Sequence, residues 1–530
     1  MVAPSLVPSR SIEPSGQPIS RAERLVRVAA TRFDLAIVGG GITGAAVAAE
    51  AAARGISVAL IERDDFAAGA SGHTSKMLHG GLRYLAQGKL GLVREALRER
   101  SRLLSELDPA WVHPLPFLLP LRGSTWARFE NRFGTWLYER LAAGRRLGPR
   151  TLLGRNEVLN LVPALDPQGL RGGILYWEGI VDDVALTLLR IESAARAGAL
   201  VVNHMEALGR EREPGGGFRL QTRDTLSGRA YSLRCRWIVD ATGAWMGRVP
   251  LLSHNAPRLM PSKGIHLVFR REKLPIDVAV VLSGPDGRPT FALPVGSLLV
   301  VGTTDTGFRG DPGGAVSEPS DVAYLLRTLR TSFPGRSFHL SDVADVYAGV
   351  RPLLAATAST TSELSREDVE AYDPDGAIAV AGGKLTTHRA MAARALKLLP
   401  LSKAFAPSAG HPATPRTVST LSTGPIALSS GTELMARLVR DSRQEDWEEL
   451  RRRVAQALRT GQAESLEDVI DRRLHALNRR EVGFETVVRS VAGFMAELRG
   501  ESATDRDAAI QSYMRRRDFE NACLEAAADD

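Results

Sequence analysis

The sequence predicts an α/β protein in which a parallel-sheet unit is interleaved with a second, mixed β-sheet and followed by a helical domain. The first observation is a succession of apolar strand, glycine turn, alanine-rich helix and second strand between Phe33 and Ile61. A helix between two strands implies a parallel pair. The second observation is a series of short β-like runs between about 170 and 380. The third is that strand patterns fade beyond about 407, where charged helical patterns such as Glu445–Leu458 take over.

Length and composition limit the function classes. The chain of 530 residues is long enough for more than one domain, taking about 150 residues per domain. Its 44% hydrophobic and 24% charged residues exclude a largely disordered protein. Two cysteines exclude a disulfide scaffold and a cysteine-rich zinc site, and we expect no metal site. No apolar stretch has the ~20 residues that a membrane-spanning helix needs.

The net charge of +8 favours anionic partners. No nucleic-acid-binding module is visible and acidic residues are spread throughout, so we expect no nucleic acid partner. Residues 1–31 carry prolines among many serines, and they predict a flexible leader.

A glycine motif follows the first strand. Gly39, Gly41 and Gly44 have the spacing of a dinucleotide fingerprint, with Gly40 between them, and they connect a strand to a helix. The first glycine allows a tight turn, the second lets the backbone approach a pyrophosphate, and the third permits close helix–strand packing. Glu62 ends the second strand, where it can accept hydrogen bonds from ribose hydroxyls. The sequence therefore predicts a Rossmann-type dinucleotide site.

Two later segments favour FAD over NAD as the dinucleotide. A strand at Trp237–Val239 leads into a small-residue turn that contains Gly243. Another strand, Ile378–Val380, leads through Gly382 and Gly383 into Lys384, Leu385 and Thr386 at the start of an alanine-rich helix. The amino terminus of that helix can face a flavin ring and stabilise negative charge on it, by about 0.3–2 kcal/mol.

Four motifs resemble those of FAD-dependent glycerol-3-phosphate dehydrogenases, which belong to the wider group of flavoproteins related to D-amino acid oxidase. They are GASGHTSKMLHGGLRYL (69–85), GTTDT (302–306), GVRPL (349–353) and AGGKLTTHR (381–389). The resemblance runs from about 33 to 395. It implies oxidation of sn-glycerol 3-phosphate to dihydroxyacetone phosphate by hydride transfer to flavin N5. It also implies electron transfer to a quinone by a cytoplasmic enzyme, peripheral on the inner face of the membrane, and it leaves a homodimer open.

The resemblance also implies the domain organisation. A leader at 1–31 precedes an oxidoreductase region at 32–400, a linker at 401–424 and a helical domain at 425–530. Within the oxidoreductase region, the FAD-binding segments are about 32–110, 170–260 and 340–400. The substrate and cap segments are about 111–169 and 261–339.

The site residues carried over by the resemblance fall into two groups. Besides Gly39, Gly41, Gly44 and Glu62, the cofactor contacts are Ser71, Ser75, Lys76 and His79. The substrate contacts are Arg83, Tyr84, Arg351, Arg366 and Lys384, with His266 and Thr304 near the reacting carbon. Arginine forks and a lysine suit a phosphate dianion, and a charge in an apolar, glycine-lined context such as that of Arg83 or Arg351 needs a partner. We assign catalysis to His266, Lys384 and Arg351, and leave open whether His266 is the base or Lys384 acts electrostatically.

A basic amphipathic helix is predicted between about 126 and 146. Its apolar side is formed by Trp126, Phe129, Phe133, Trp136, Leu137 and Leu141, and arginines are interleaved. Such a helix is suited to an anionic membrane interface, although a core-packing helix with a solvated arginine face has the same pattern.

Two alternative functions remain open at this point. One is a related FAD oxidase that uses oxygen, or that acts on a different small hydroxy or amino substrate. The other is a flavin-binding protein that has lost catalysis and serves as a regulator or scaffold. The cluster of Arg83, Arg351 and Lys384 argues against an amino acid substrate, which needs little extra positive charge.

Overall fold

The computed structural model describes residues 20–86, 88–142, 147–252, 257–355, 368–399, 428–440, 443–459 and 462–525. Within these ranges two sheets and a carboxyl-terminal group of helices make up the fold. The strands are β1 (Arg32–Val38), β2 (Val58–Ile61), β3 (Met77–Leu78), β4 (Val112–Leu121), β5 (Thr151–Gly154), β6 (Gly172–Val181), β7 (Leu200–Val202), β8 (Met205–Arg212), β9 (Phe218–Asp224), β10 (Ala230–Asp240), β11 (Ser262–Arg270), β12 (Ala279–Ser283), β13 (Pro289–Val295), β14 (Leu298–Gly302), β15 (Thr306–Gly307), β16 (Val343–Arg351), β17 (Asp368–Asp373) and β18 (Ala377–Gly382).

The helices connect and cover these strands. They are α1 (Arg21–Ala30), α2 (Ile42–Ala53), α3 (Leu82–Ala86), α4 (Leu90–Glu106), α5 (Thr125–Leu141), α6 (Arg155–Leu161), α7 (Asp183–Arg196), α8 (Pro319–Ser332), α9 (His388–Leu398), α10 (Leu428–Arg440), α11 (Gln444–Arg459), α12 (Phe484–Arg499) and α13 (Ala503–Glu525). A π-helical turn spans Asp468–Arg473. Among the helices described, none combines the length and the apolar character needed to cross a membrane.

The leader assignment over 1–31 is wrong for its last third, where α1 forms. Ser20 caps this helix by accepting a hydrogen bond from the Glu23 amide. Val28 is fully buried in the core beneath the first sheet, and Arg21 pairs with the buried Asp224 at 2.5 Å. The prolines and serines stand before this segment, and the amphipathic pattern after them is what folds.

The first sheet has the strand order β17-β18-β10-β1-β2-β7, with β9 and β8 continuing from β10. Strand β1 pairs in parallel with both β2 and β10, and β10 pairs in parallel with β18. Helices α2, α7 and α9 bury apolar side chains against this sheet. The carboxyl ends of β1, β2, β10 and β18 consequently meet at one edge, as the strand–helix–strand pattern predicts.

The second sheet has the order β15-β11-β14-β13-β12-β4-β6-β3, with β16 beside β11 and β5 beside β6. Strands β6 and β16 lie in this sheet, whereas the sequence analysis placed them in FAD-binding segments. Both strands are largely buried, so their apolar pattern does not show which sheet they join. Helix α8 packs on the sheet, and Leu524 of α13 enters the same core.

The carboxyl-terminal helices α10–α13 have a core of their own. Its members include Leu434, Leu450, Val491 and Tyr513. Helix α11 packs on α12, and α12 on α13. The helical domain predicted from the charged periodic patterns therefore has a separate hydrophobic core.

Candidate active site

A cavity of about 1120 Å³ lies where the carboxyl ends of the first sheet face the second sheet. Most of the predicted site residues line it: Gly39, Gly41, Glu62, Ser71, Ser75, His79, Tyr84, Gly243, His266, Thr304, Arg351, Gly382, Gly383, Lys384, Leu385 and Thr386. Gly40, Gly44 and Lys76 are not part of the lining. The Arg83 side chain and the whole of Arg366 lie outside the described residues, so both assignments stay predictions.

The turn after β1 depends on two glycines. Gly39 has a φ of +112°, in the region that side chains disfavour. A Cβ added at Gly44 would overlap the carbonyl oxygen of Gly39, because α2 begins almost in contact with β1. The first turn of α2 then presents its amides to the cavity, and Ser71 Oγ accepts a hydrogen bond from the Ile42 amide at 2.9 Å. This arrangement is a ready-made anion site.

Glu62 occupies the position that a ribose-binding carboxylate requires, directly after β2. Its carboxylate accepts hydrogen bonds from the amides of Gly40 at 2.6 Å and Asp64 at 2.9 Å. Burial raises the pKa of Glu62, and these two hydrogen bonds oppose the rise. The carboxylate is thereby held beside the glycine turn.

These residues fit FAD. The glycine turn leaves no room for a Cβ at Gly44, the amides of α2 can receive a pyrophosphate, and Glu62 can receive ribose hydroxyls. The cavity continues past them to the ends of β10 and β18, where Gly243, Gly382 and Gly383 have positive φ values of 58°, 75° and 75°. This run of lining residues suits an extended dinucleotide.

Lys384 and Tyr84 stand together at the end of β18. The Lys384 ammonium lies 3.8 Å from the centroid of the Tyr84 ring, within the range of a cation–π interaction. Lys384 is 8% and Tyr84 6% exposed, so both groups act in a shielded environment. Beyond them, Thr386 Oγ1 accepts a hydrogen bond from the His79 amide at 3.3 Å, which ties the start of α9 to the segment before α3.

Arg351, at the end of β16, is held by the neighbouring strand segments. Its guanidinium donates to Thr303 Oγ1 at 2.8 Å and to the Thr304 carbonyl at 3.1 Å. It also lies 3.6 Å from the Asp305 carboxylate. A Cβ at Gly264 would overlap this guanidinium, so the glycine makes room for it. The Thr304 hydroxyl accepts from the Ile265 amide at 3.0 Å, which places it beside this group.

His266 is buried against the same wall of the cavity. Its Nε2 lies 2.8 Å from Ser75 Oγ, and its ring stacks on Tyr347 with centroids 4.7 Å apart. Burial lowers the pKa of His266 well below its usual range, and the positive charges of Arg351 and Lys76 add to the effect. Its Nδ1 is buried without a hydrogen-bond partner among the described residues. Burial keeps the imidazole neutral, which is the state that can accept a proton.

Lys76 does not face this cavity. Its ammonium donates to Asp183 at 2.7 Å, and both side chains are almost fully buried. Its backbone contributes instead, since the Lys76 carbonyl accepts from Val181 and its positive φ of 55° turns the chain between Ser75 and β3. The assignment of Lys76 to the segment along the cofactor stays a prediction, and its side chain serves the ion pair with Asp183.

A buried polar group beside the cavity was not anticipated. Arg100 pairs with Glu178 at 2.5 Å, and the Tyr138 hydroxyl donates to the same carboxylate. Tyr138 also accepts a hydrogen bond from the Gly80 amide at 2.7 Å. Of these residues, Glu178 lines the cavity. A glutamate within the otherwise apolar stretch of β6 was the available signal, because a buried carboxylate needs partners.

Helix α5 forms one side of the cavity mouth, through residues that include Asn131, Phe133 and Leu137. Phe129, Phe133 and Trp136 are 57%, 51% and 42% exposed. Leu137 and Leu141 turn inward and are partly buried. The predicted apolar face is therefore exposed along its aromatic side and partly buried along its leucine side. The Trp126 side chain lies outside the described residues.

Comparison with known proteins identifies relatives. The family model described as FAD dependent oxidoreductase matches residues 34–392. The glycerol-3-phosphate dehydrogenase of Mycobacterium leprae is 38% identical, over 79% of this chain and 72% of that protein. The aerobic glycerol-3-phosphate dehydrogenase of Bacillus subtilis is 36% identical, over 72% of this chain and 69% of that protein.

Solved structures agree on the fold. The glycerol-3-phosphate dehydrogenase from Bacillus halodurans, complexed with FAD, superposes with a TM-score of 0.69 at 24% identity, over 93% of this chain and 96% of that one. The L-α-glycerophosphate oxidase from Mycoplasma pneumoniae, with FAD bound, has a TM-score of 0.56 at 18% identity, over 70% of this chain and 96% of that one. These matches confirm the predicted FAD-binding architecture.

We expect Gly44→Ala to reduce both FAD content and stability. Its added methyl group would press on the Gly39 carbonyl and separate α2 from β1, at a cost of about 1–3 kcal/mol. The measurements are bound-flavin absorbance per protein and denaturant unfolding. Gly91→Ala in α4 is the matched control, because an added Cβ there meets nothing within 4 Å. Full flavin content and unchanged stability in Gly44→Ala would contradict this account of the turn.

Proposed function

Since this chain belongs to the FAD dependent oxidoreductase family, and within it to the glycerol-3-phosphate dehydrogenases, we propose that it oxidises sn-glycerol 3-phosphate to dihydroxyacetone phosphate in this cavity, with FAD as the oxidant. The observation that carries the substrate assignment is the position of Arg351. Its guanidinium is 19% exposed, lines the cavity and is held in place by Thr303 and Thr304. A preoriented guanidinium beside a neutral imidazole suits a phosphorylated alcohol.

Arg351 and Lys384 bind the phosphate and orient the substrate. A phosphate dianion loses its water shell in this cavity, and cationic donors must replace it. Arg351 offers a planar fork, whereas Lys384 offers a compact charge. A substrate without the phosphate would lose its contacts with these two cations, so glycerol is expected to be a poor substrate.

His266 accepts the proton of the substrate hydroxyl. Its neutral state makes it the candidate base, and Ser75 Oγ lies 2.8 Å from its Nε2. Lys384 stabilises negative charge on the oxygen as the proton leaves. When bound, FAD would supply at its flavin N5 the acceptor for the hydride of the carbinol carbon. Loss of one hydride and one proton converts the alcohol to the ketone.

An anaerobic mixing experiment tests the reaction. The purified flavoprotein is mixed with sn-glycerol 3-phosphate, with glycerol or with an amino acid, and oxidised-flavin absorbance is followed. Bleaching by the first compound alone is expected. Bleaching by an amino acid, or none with FAD bound, would overturn the substrate assignment. Reoxidation by a soluble quinone analogue, compared with oxygen, then distinguishes a dehydrogenase from an oxidase.

We expect Arg351→Met to weaken use of sn-glycerol 3-phosphate by roughly thirtyfold or more in kcat/KM, since loss of one partner of a shielded charge pair costs about 2 kcal/mol or more. Reduction by glycerol should change far less, because that compound lacks the phosphate. Arg212→Met, which removes an arginine that is 56% exposed, controls for net charge. Equal losses for both substrates would mean that Arg351 has a structural role instead.

His266 should remain neutral throughout the neutral pH range. Its pKa lies well below 6.5, so histidine ¹⁵N resonances of the FAD-bound protein should show no titration of this ring between about pH 8 and 6. His266→Asn assigns the resonance, and the exposed His339 provides an internal comparison. If the His266 ring titrated near the ordinary pKa of histidine, the proposal that it is a neutral base would lose its support.

We further propose that the electron acceptor is a membrane quinone and that α5 docks the protein on an anionic membrane surface, at the inner face. Phe129, Phe133 and Trp136 form an exposed aromatic row, with ring centroids of neighbours 6.3 and 5.7 Å apart. Arg128, Arg132 and Arg140 lie on the same helix. Aromatic anchors with interleaved arginines suit an anionic interface, and α5 borders the cavity mouth through which a lipid-soluble acceptor would approach.

Replacing Phe129, Phe133 and Trp136 by serine should weaken vesicle binding by at least tenfold, because each inserted aromatic side chain contributes about 1.5–3 kcal/mol. Co-sedimentation with vesicles containing anionic phospholipid measures this. The matched control replaces Leu208, Leu226 and Phe519, which are 44%, 49% and 61% exposed elsewhere. Undiminished binding of the α5 variant, or an equal loss in the control, would reject the docking surface.

A further inference from the structure

We propose that the carboxyl-terminal helical domain positions the cofactor-binding segment through Asp65, so that Arg472 and Arg473 act as positioning residues for FAD. This inference rests on FAD being the cofactor, which the proposed function includes. The segment concerned is residues 62–67, directly after β2. One side of it contacts the glycine turn, and the other side contacts the π-helical turn Asp468–Arg473.

Asp65 is the contact on the side of the helical domain. It is fully buried, and its carboxylate accepts a forked pair of hydrogen bonds from Arg473, at 2.6 and 2.9 Å. Arg472 Nε donates to it at 2.7 Å, and Asn203 Nδ2 at 2.9 Å. Forked arginine–carboxylate pairs are directional as well as strong. The position of Asp65 is therefore set largely by two arginines more than 400 residues further along the chain.

The residues around Asp65 contact the glycine turn. A Cβ added at Gly40 would lie 2.7 Å from the Phe66 ring and 2.8 Å from Glu62 Cβ. Both side chains therefore pack directly against this glycine. The Ala67 amide donates to the Gly40 carbonyl at 3.2 Å. Phe66 is fully buried. A displacement of Asp65 would consequently move the groups that hold the turn and the Glu62 carboxylate.

A second connection runs in parallel with the first. The His204 amide donates to the Asp64 carbonyl at 2.8 Å, and the Met205 amide donates to the Glu62 carbonyl at 2.7 Å. The His204 ring lies 2.8 Å from Asp468, in the same π-helical turn. Asp468 also accepts from Arg472 at 2.9 Å. The helical domain therefore reaches the segment directly at Asp65 and, through His204, at Asp64.

Such contacts couple docking of the helical domain to FAD binding. If docking improves the geometry of the segment for FAD, then FAD must strengthen docking by the same factor, because coupling between two binding equilibria is reciprocal. Removing Arg473 leaves the Asp65 carboxylate short of a buried partner, which favours movement of the segment toward water. The expected consequence is weaker FAD binding by a protein whose substrate-binding residues are unchanged.

The test compares Arg473→Met with Arg479→Met in the full chain. Arg479 belongs to the same domain and is bonded to another buried carboxylate, Asp345, at 2.9 Å. That contact reaches β16 of the second sheet and not the cofactor-binding segment. Both variants remove one arginine from a buried carboxylate. Asp65 keeps Arg472 and Asn203 as partners, so Arg479→Met is at least as severe a control for general destabilisation. Arg473→Lys keeps the charge but loses the fork, and Asp65→Asn removes the charge from the other side.

Two quantities are measured. The first is the FAD dissociation constant of the protein from which FAD has been removed, obtained from the quenching of FAD fluorescence. The second is the circular dichroism spectrum, which establishes that each variant is folded. Arg473→Met and Asp65→Asn should weaken FAD binding by about tenfold or more, within the usual range of coupling between sites. Arg473→Lys should fall between them and the unmodified protein, and Arg479→Met should retain its affinity. Equal FAD affinity in Arg473→Met, or an equal loss in Arg479→Met, would overturn the inference. Failure of the unmodified protein to bind FAD would instead overturn the proposed function.

Discussion

Parallel pairing of β1 with β2 and β10 is the constraint on which the cavity depends. Val38 pairs with Ile61 on one side and with Asp240 on the other, so these three strands end in the same row. The glycine turn, Glu62 and the turn after β10 therefore meet without any long connection. Strand β18 extends the row through Asp240, which pairs with Ala379. A dinucleotide can follow this edge because the carboxyl ends of parallel strands lie on the same side of the sheet.

The second sheet uses antiparallel register to supply the groups that act on the substrate. His266 lies opposite both Gly302 and Tyr347, and Ser262 lies opposite Arg351. Glycine is necessary at position 302, because a Cβ there would overlap the His266 ring. The first sheet therefore supplies the lining that suits the cofactor, and the second places the neutral His266 imidazole near the Arg351 guanidinium.

Sequence reasoning succeeded where the signal is local. The glycine spacing, the flanking strand and helix, and Glu62 lie within about thirty residues, so the dinucleotide site was predictable from local sequence. The choice of FAD needed the two later segments and the family resemblance. Lys76, Lys263 and Lys384 are 2%, 1% and 8% exposed. The sequence did not show their partners, since Lys76 pairs with Asp183 and Lys263 with Asp321. The direction of a buried side chain depends on partners far away in sequence.

The ion pairs formed with such distant partners have one physical property in common. Asp65, Asp183 and Asp345 are buried carboxylates. Their cationic partners lie 408, 107 and 134 residues away in the sequence, in that order. A buried ion pair gives little net stability, since well-packed apolar residues often serve as well, but breaking one is costly. Such pairs therefore penalise incorrect docking more than they reward correct docking. In this chain they join the segments that border the cavity to each other and to the helical domain, so their principal effect is on the geometry of the cavity.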